Sequence, residues 1–433
     1  MGALLLNPTP AEQEFSQAFA LARPGLPDAA DRRQAFERFA RAGLPTRRLE
    51  SWHYSDLRAK LRTAPPLAGK PDDASKAFAK SELEKHARES LKLVLIDGFF
   101  STELSDDFSG VAGVKIRALS ALPSDAPILA LMRDLSPSDP LLDLNAAFAQ
   151  DGVVVEIAEG LRLEKPIEIL ALCGANGGGS RFSRNFVALG EGARASLVET
   201  RAEGVGGFGD SALFLVLGKA SELDYACRAE NGAPVEVQNM IARLDGQAKL
   251  RATALVAGTP FLRRQIFATC AGEGAELNLS GASLLRSKEH ADATMVVTHE
   301  APGCVSRETF KYVLADEADG VFQGKIVVPP HAQKTDGKML CRALLLSDSA
   351  SMSVKPELEI FADDVACGHG AACAKLDAAQ LFYMESRGIP KVEAQGMLIE
   401  AFAAEAFDIM SDDSMRDLLK TDLTALLESG IFA

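Results

Sequence analysis

Cys367 and His369 offer the best-defined pair of soft donors in this chain, within Cys367-Gly-His369-Gly-Ala-Ala-Cys373. A thiolate and an imidazole two residues apart are potential ligands for iron or an iron–sulfur cluster. In an extended strand, residues 367, 369, 371 and 373 share one face. Adjacent same-face Cα atoms lie about 6.6 Å apart, so Cys367 and His369 can reach one ion. By the same rise Cys373 sits about 20 Å from Cys367, unless a turn at Gly368 or Gly370 folds it back. Two donors do not close a four-ligand site, and the spacing equally suits a buried, inert cysteine beside a hydrogen-bonded histidine. The segment reads as half of a site.

Other motifs carry less. Gly204-Val-Gly206-Gly-Phe-Gly209 matches G-x-G-x-x-G, but a strand-like run, Ala212–Leu217, follows where a phosphate-binding helix N-terminus is needed, so it reads as a flexible loop. No Gly-Lys pair is followed by Ser or Thr, which excludes the usual phosphate-cradling loop. Neither a G-x-S-x-G elbow nor a zincin helix is present. His53, His86, His290, His299 and His331 read as surface or satisfied histidines. Cys173, Cys227 and Cys270 read as small core residues, and Cys304 and Cys341 stay open.

The elements that must position Cys367 and His369 are strands. From Leu91, apolar pulses of about five residues alternate with Gly corners, as in Leu91–Ile96, Val153–Ile157, Ile167–Leu172, Phe186–Leu189 and Ala212–Leu217. Corner glycines at 192, 218, 246, 274 and 303 recur at intervals of 26, 28, 28 and 29. That period, with alternation such as Ala275-Glu-Leu277-Asn-Leu279, predicts a β-solenoid. A β-sandwich is the competing reading. No long helical period is expected between 91 and 376. Residues 11–42 read as helix around Phe15, Phe19, Phe36 and Phe39, broken at Pro24-Gly25-Leu26-Pro27. A linker-like stretch spans 63–80 and a short helix 81–90. C-terminal helices are expected over 376–387, 392–410 and 415–427. The middle one carries a stripe of Met397, Leu398, Ala401, Phe402, Glu405 and Ile409, with Phe407 off it. The organisation is thus a helical region over 1–90, a solenoid core over 91–375 and helices over 376–433. A solenoid needs caps, which the two helical regions would supply.

Composition bounds the partners. The chain has 433 residues, 47% apolar content, a net charge of −14 and pI about 5.1. Without clustered Lys and Arg beyond Arg47-Arg48, nucleic acid is excluded as a partner. No run approaches the ~18 apolar residues of a membrane helix. The start, Met-Gly-Ala-Leu-Leu-Leu-Asn, lacks a signal peptide's basic segment, and Leu6 stands where a myristoylation signal needs Ser or Thr. Seven scattered cysteines fit reduced thiols in a cytoplasmic protein.

Three stretches together carry a resemblance. They are Leu44-Pro-Thr-Arg-Arg-Leu-Glu-Ser-Trp52-His-Tyr54-Ser-Asp56-Leu57, Phe322–Asp336, and Pro356-Glu-Leu358-Glu359-Ile360 through Asp363-Asp364-Val365, Cys367 and His369 to Arg387-Gly388-Ile389. The chain resembles the SufB/SufD family of the SUF iron–sulfur cluster assembly system, on its SufD side. The Cys-rich N-terminal motif of SufB is missing here, since the first cysteine is Cys173. Cys373, Ser51 and His53 depart from the pattern. The resemblance implies a right-handed parallel β-helix between helical ends, and a scaffold without enzymatic activity. It implies pairing with SufB through the β-helix edge near His369, and docking of the ATPase SufC on the C-terminal helices. SufC motion would rearrange the SufB–SufD interface where a transient, shared iron–sulfur cluster forms. His369 would be a ligand there and Cys367 a nearby thiol, the missing donors coming from the other chain. A flavin is compatible with such complexes, but no residue locates it. Alone, the chain could pair with itself by strand addition. A SufB-like cluster scaffold and a β-helix carbohydrate-active enzyme are the competing functions. The enzyme would need carboxylates recurring on one strand face, which the sequence lacks.

Overall fold

Alternating apolar residues leave each strand two faces to bury, and the chain does so by winding. A computed structural model describes residues 7–22, 29–86, 88–175, 177–201, 206–230 and 233–432. The Pro24–Pro27 break, Gly204 and the first six residues lie outside this set. Helices α1 (Pro10–Ala22), α2 (Ala29–Ala42), α3 (Leu57–Lys60) and α4 (Asp73–Leu83) come first. Then come β1 (Leu91–Ile96), β2 (Phe99–Ser101), β3 (Val114–Ala118), α5 (Pro127–Leu135) and α6 (Pro140–Phe148). The winding begins with β4 (Val153–Ile157), β5 (Ile167–Leu172), β6 (Ser180–Leu189), β7 (Arg194–Arg201), β8 (Phe208–Leu217) and β9 (Glu222–Glu230). It continues through β10 (Val235–Leu244), β11 (Lys249–Ala257), β12 (Phe261–Cys270), β13 (Glu276–Leu285) and β14 (His290–His299). It ends with β15 (Val305–Leu314), β16 (Asp319–Val328), β17 (Asp336–Leu345), β18 (Ser351–Ile360) and β19 (Ala366–Ala374). Helices α7 (Ala378–Ser386), α8 (Lys391–Ala404) and α9 (Asp413–Glu428) close the chain.

Each strand from β4 to β17 pairs in parallel with the strand two places on, giving one sheet of even strands and one of odd strands. This is a parallel β-solenoid with two strands per turn, and the sandwich reading is set aside. Its lumen is mainly apolar, built from inward residues such as Leu197, Leu223, Leu250, Leu277 and Leu285. Each such side chain contributes about 1.5–3 kcal/mol by burial. The corner period holds, but the glycines do two different jobs. Gly192, Gly274 and Gly303 have φ of 65°, 70° and 68°, while at the intervening corners Ala220 and Gln247 take the left-handed conformation. Gly218 is needed for closeness instead, since a Cβ there would lie 2.8 Å from Leu189 O.

The helical regions do not cap the ends of the solenoid, contrary to expectation. They lie along its sides. Phe15, Phe19, Phe36, Phe39 and Phe148 pack onto Phe182, Phe208 and Phe261 on the outer face of the even sheet. On the odd sheet, Ile399, Ala403, Phe407, Leu419 and Leu423 pack over Val198, Leu255, Ala282 and Val313. The buried stripe of α8 therefore differs from the expected one. Met397 is exposed and Phe407 is fully buried, because the chain tightens after Ala404 into a 3₁₀ turn, Glu405–Phe407, that rotates Phe407 inward. Glu405 instead pairs with the buried Lys311 of β15.

Two further expectations fail. Helix α4 begins at Asp73 inside the presumed linker, capped by the Asp72 carboxylate accepting from Ser75 N at 2.8 Å. Helices α5 and α6 interrupt the stretch read as free of helix. Each starts with a proline at its first turn, and at nine residues each is too short to show a long period.

Candidate functional site

The candidate site is the last turn of the solenoid. Strand β19 pairs with β17 on one side only, and β18 with β16 on one side only. Among the described residues no element covers their free edges, so two rows of backbone N–H and C=O groups face outward.

Register places the candidate donors. Cys367 stacks on Gly337 and Ser306, and His369 on Met339 and Glu308, so both continue the inward face of the odd sheet. Because no turn lies above them, Cys367 is only half-buried and His369 is exposed. β19 runs unbroken from Ala366 to Ala374, so no turn folds Cys373 back toward Cys367. Cys373 is exposed at the far end of the strand, over Ala343. Among the described residues, no group of three or more His, Cys, Asp or Glu side chains is arranged to hold a metal ion. The last turn thus presents Cys367 and His369 side by side at an open edge, with a second thiol, Cys373, at the far end of the strand.

Burial pushes the Cys367 thiol above its ordinary value, Asp336 and Glu308 add to this, and the Gly337 N–H pulls the other way. Cys367 is therefore a protonated thiol until a cation displaces the proton.

Beneath it lies a polar column that the sequence reading missed. His299 is buried, with Nε2 3.0 Å from Ser306 Oγ and Nδ1 without a hydrogen-bond partner. Cys304 Sγ lies 3.3 Å from Gly272 O, and its contact with Cys270 pulls Cys304 below and Cys270 above the ordinary thiol range. Glu308 is 0% exposed, and neither carboxyl oxygen has a hydrogen-bond partner. Burial raises it to about 8. Ser306 opposes that rise, and its hydroxyl also lies at hydrogen-bond distance from His299. Aligning successive turns would have found this column, since Glu308, Met339 and His369 occupy one register position.

The Leu44–Leu57 segment is a clasp. The Trp52 ring, fully buried, lies 4.0 Å from the Arg263 guanidinium, which forms an ion pair with Asp292 at 0% exposure of both side chains. Ser55 Oγ is 2.8 Å from His290 Nε2, and His290 Nδ1 is 2.9 Å from Asp319 Oδ2. That order imitates a hydrolytic triad, but Ser55 is buried and its hydroxyl donates to Asp292, so no substrate reaches it. Glu50 reaches Lys355 of β18 at 2.8 Å, tying the clasp to the last turn.

Two family models cover most of the chain. The description "SUF system FeS cluster assembly, SufBD core domain" matches residues 172–402, and "SufBD protein N-terminal region" matches 28–169. The chain belongs to the SufBD family. It is 28% identical to the iron–sulfur cluster assembly protein SufD of Escherichia coli over 92% of each chain. It is 26% identical to a SufBD family protein of Synechocystis over 87% of this chain and 86% of that one. A chloroplastic Arabidopsis thaliana protein, ABCI7, is 28% identical over 77% of this chain and 73% of its own. As a SufBD protein the chain takes part in iron–sulfur cluster assembly. Among the described residues no helix is long and apolar enough to cross a membrane.

Proposed function

We propose that this SufBD protein is a non-catalytic scaffold subunit whose last solenoid turn pairs with a SufB chain. Cys367 and His369 then contribute to a nascent iron–sulfur cluster, or to the iron delivered for it, at that junction. The observation that carries the reading is their position on an uncovered strand edge. Strand addition there continues the solenoid into the partner and brings the partner's donors to the two already present. A cluster needs about four protein ligands, so two per chain matches a shared site. The cluster is cargo, held while it is built and then passed on.

Docking of a SufC ATPase belongs to α7 and α8. Phe382, Tyr383, Val392 and Met397 are 72%, 58%, 74% and 47% exposed there, an apolar group facing away from the buried side of α8. We place the chain in the cytoplasm and treat 1–90, 91–375 and 376–433 as its clasp, solenoid and ATPase-facing units.

The test is His369→Ala in a complex reconstituted anaerobically with SufB and SufC. The substitution removes an exposed side chain, so folding is spared. Cluster formation should fall severalfold with the complex intact. Wild-type cluster yield from that complex would refute the assignment of His369.

A further inference from the structure

The charge pattern beside α2 differs from that of the rest of this acidic chain. A cavity of about 380 Å³ opens between α2, α5, α6 and the start of β6. Its walls include Leu122, Leu129, Met132 and Leu142, and its lining also includes Arg32 and Arg184. The size is that of a small-ligand site.

Arg184 is the unusual member. Its guanidinium lies 5.1 Å from the Phe214 ring centroid, and Nη2 donates to Ser136 Oγ at 3.3 Å. Its Nε is buried without a hydrogen-bond partner. The carboxylates whose charge it feels are engaged elsewhere. Asp143 sits 2.6 Å from Arg38, and Asp210 accepts from Asn239 at 3.0 Å. Burial also pushes Asp210 well above the carboxylate range. On the same wall Arg38 pairs with Asp143, and Arg133 with Asp31. Arg32 reaches the Ala147 carbonyl at 3.3 Å, and its charge adds to that of Arg184. Burial and the neighbouring Arg32 bring Arg184 down to about 10, against the opposing pull of Asp210 and Asp143. A guanidinium with a buried, unpartnered Nε beside carboxylates already bonded to other residues gains from an added anion.

We infer that this cavity binds a small amphipathic anion, with a carboxylate-type head on Arg184 and an apolar body against Leu122, Leu129, Met132 and Leu142. Ser136 Oγ donates to Met132 O at 2.7 Å and accepts from Arg184, so Arg184 is the donor that meets the head. The site lies on the outer side of the even sheet, apart from the last turn, and does not depend on the scaffold reading.

Calorimetric titration of the full chain with decanoate, decanol and decylammonium tests the proposal. Decanoate should saturate one site per chain and bind at least about tenfold tighter than the other two, the effect expected of one charged hydrogen bond. Arg184→Gln should weaken decanoate about tenfold and leave decanol unchanged. Met132→Trp, which fills the cavity, should abolish saturable binding of decanoate in a chain that still unfolds cooperatively. Equal affinity for decanoate and decanol, full decanoate binding by either variant, or no saturable binding by wild type would each overturn the proposal. Should Arg184→Gln fail to fold, the charge series and Met132→Trp decide it.

Discussion

Replacing Glu308 by Gln should stabilise the protein at neutral pH and leave it little changed in acid. The carboxyl is fully buried in the lumen, with neither oxygen hydrogen-bonded, and desolvation raises it from 4.5 to about 8. Between those values the folded state holds a proton that the unfolded state has released. Stability therefore falls as pH rises, by about 1.4 kcal/mol per unit. From pH 5 to 7.5 the loss is roughly 3 kcal/mol, which a neutral amide of the same shape does not suffer. At roughly 2.1 cal/mol/K per residue, a chain of 433 residues melts with an entropy near 0.9 kcal/mol/K, so the effect is about 3–4 °C. Melting temperatures of both proteins across pH 5–8 give the difference directly, and groups common to both cancel. The gap between Glu308→Gln and wild type should open steadily above pH 5. A gap independent of pH, or one that closes as pH rises, would refute the reasoning.

Other consequences can be checked the same way. Arg263→Met leaves Asp292 buried without its cation and should cost about 3–5 kcal/mol. Because Trp52 is the only tryptophan, its emission should shift to the red as the clasp loosens; unchanged emission and melting would contradict the clasp. Phe407→Ala should cost about 3–5 kcal/mol and speed proteolytic release of α8 and α9 while the solenoid survives, and equal proteolysis rates would count against side-on docking. Cys373, being exposed, should alkylate faster than Cys367 at pH 7.5, and the Cys367 rate should still be climbing above pH 9. The reverse order by mass mapping would show that the last turn is covered.

The sequence was readable where one rule acted alone. Alternation and the recurring corner gave the solenoid, although Ala220 and Gln247 replace glycine at two left-handed corners. The corner position fixes the conformation and side-chain type only biases it. The helices failed where tertiary packing overrides local pattern. Phe407 looks off-stripe because helical spacing is extended through a 3₁₀ turn; of the expected stripe Phe402 and Ile409 pack against the buried cluster and Met397 faces outward, while Ala394, Ile399 and Ala403 are the buried residues of the helix. Capping was expected at the ends because the helices stand at the ends of the chain, but the Phe182, Phe208 and Phe261 outer faces offered more apolar surface to cover. For the site, Cys367 and His369 stood out by type and spacing. Glu308 did not, because an inward carboxylate resembles an outward one until successive turns are set in register.

The central claim is that the donors in the last turn are completed by a second polypeptide. Anaerobic titration with iron and sulfide, followed by the cluster chromophore, compares the chain alone with the chain plus SufB. A stoichiometric chromophore should form only in the pair and be lost with His369→Ala. Stable, stoichiometric cluster bound by the solitary chain would contradict the account.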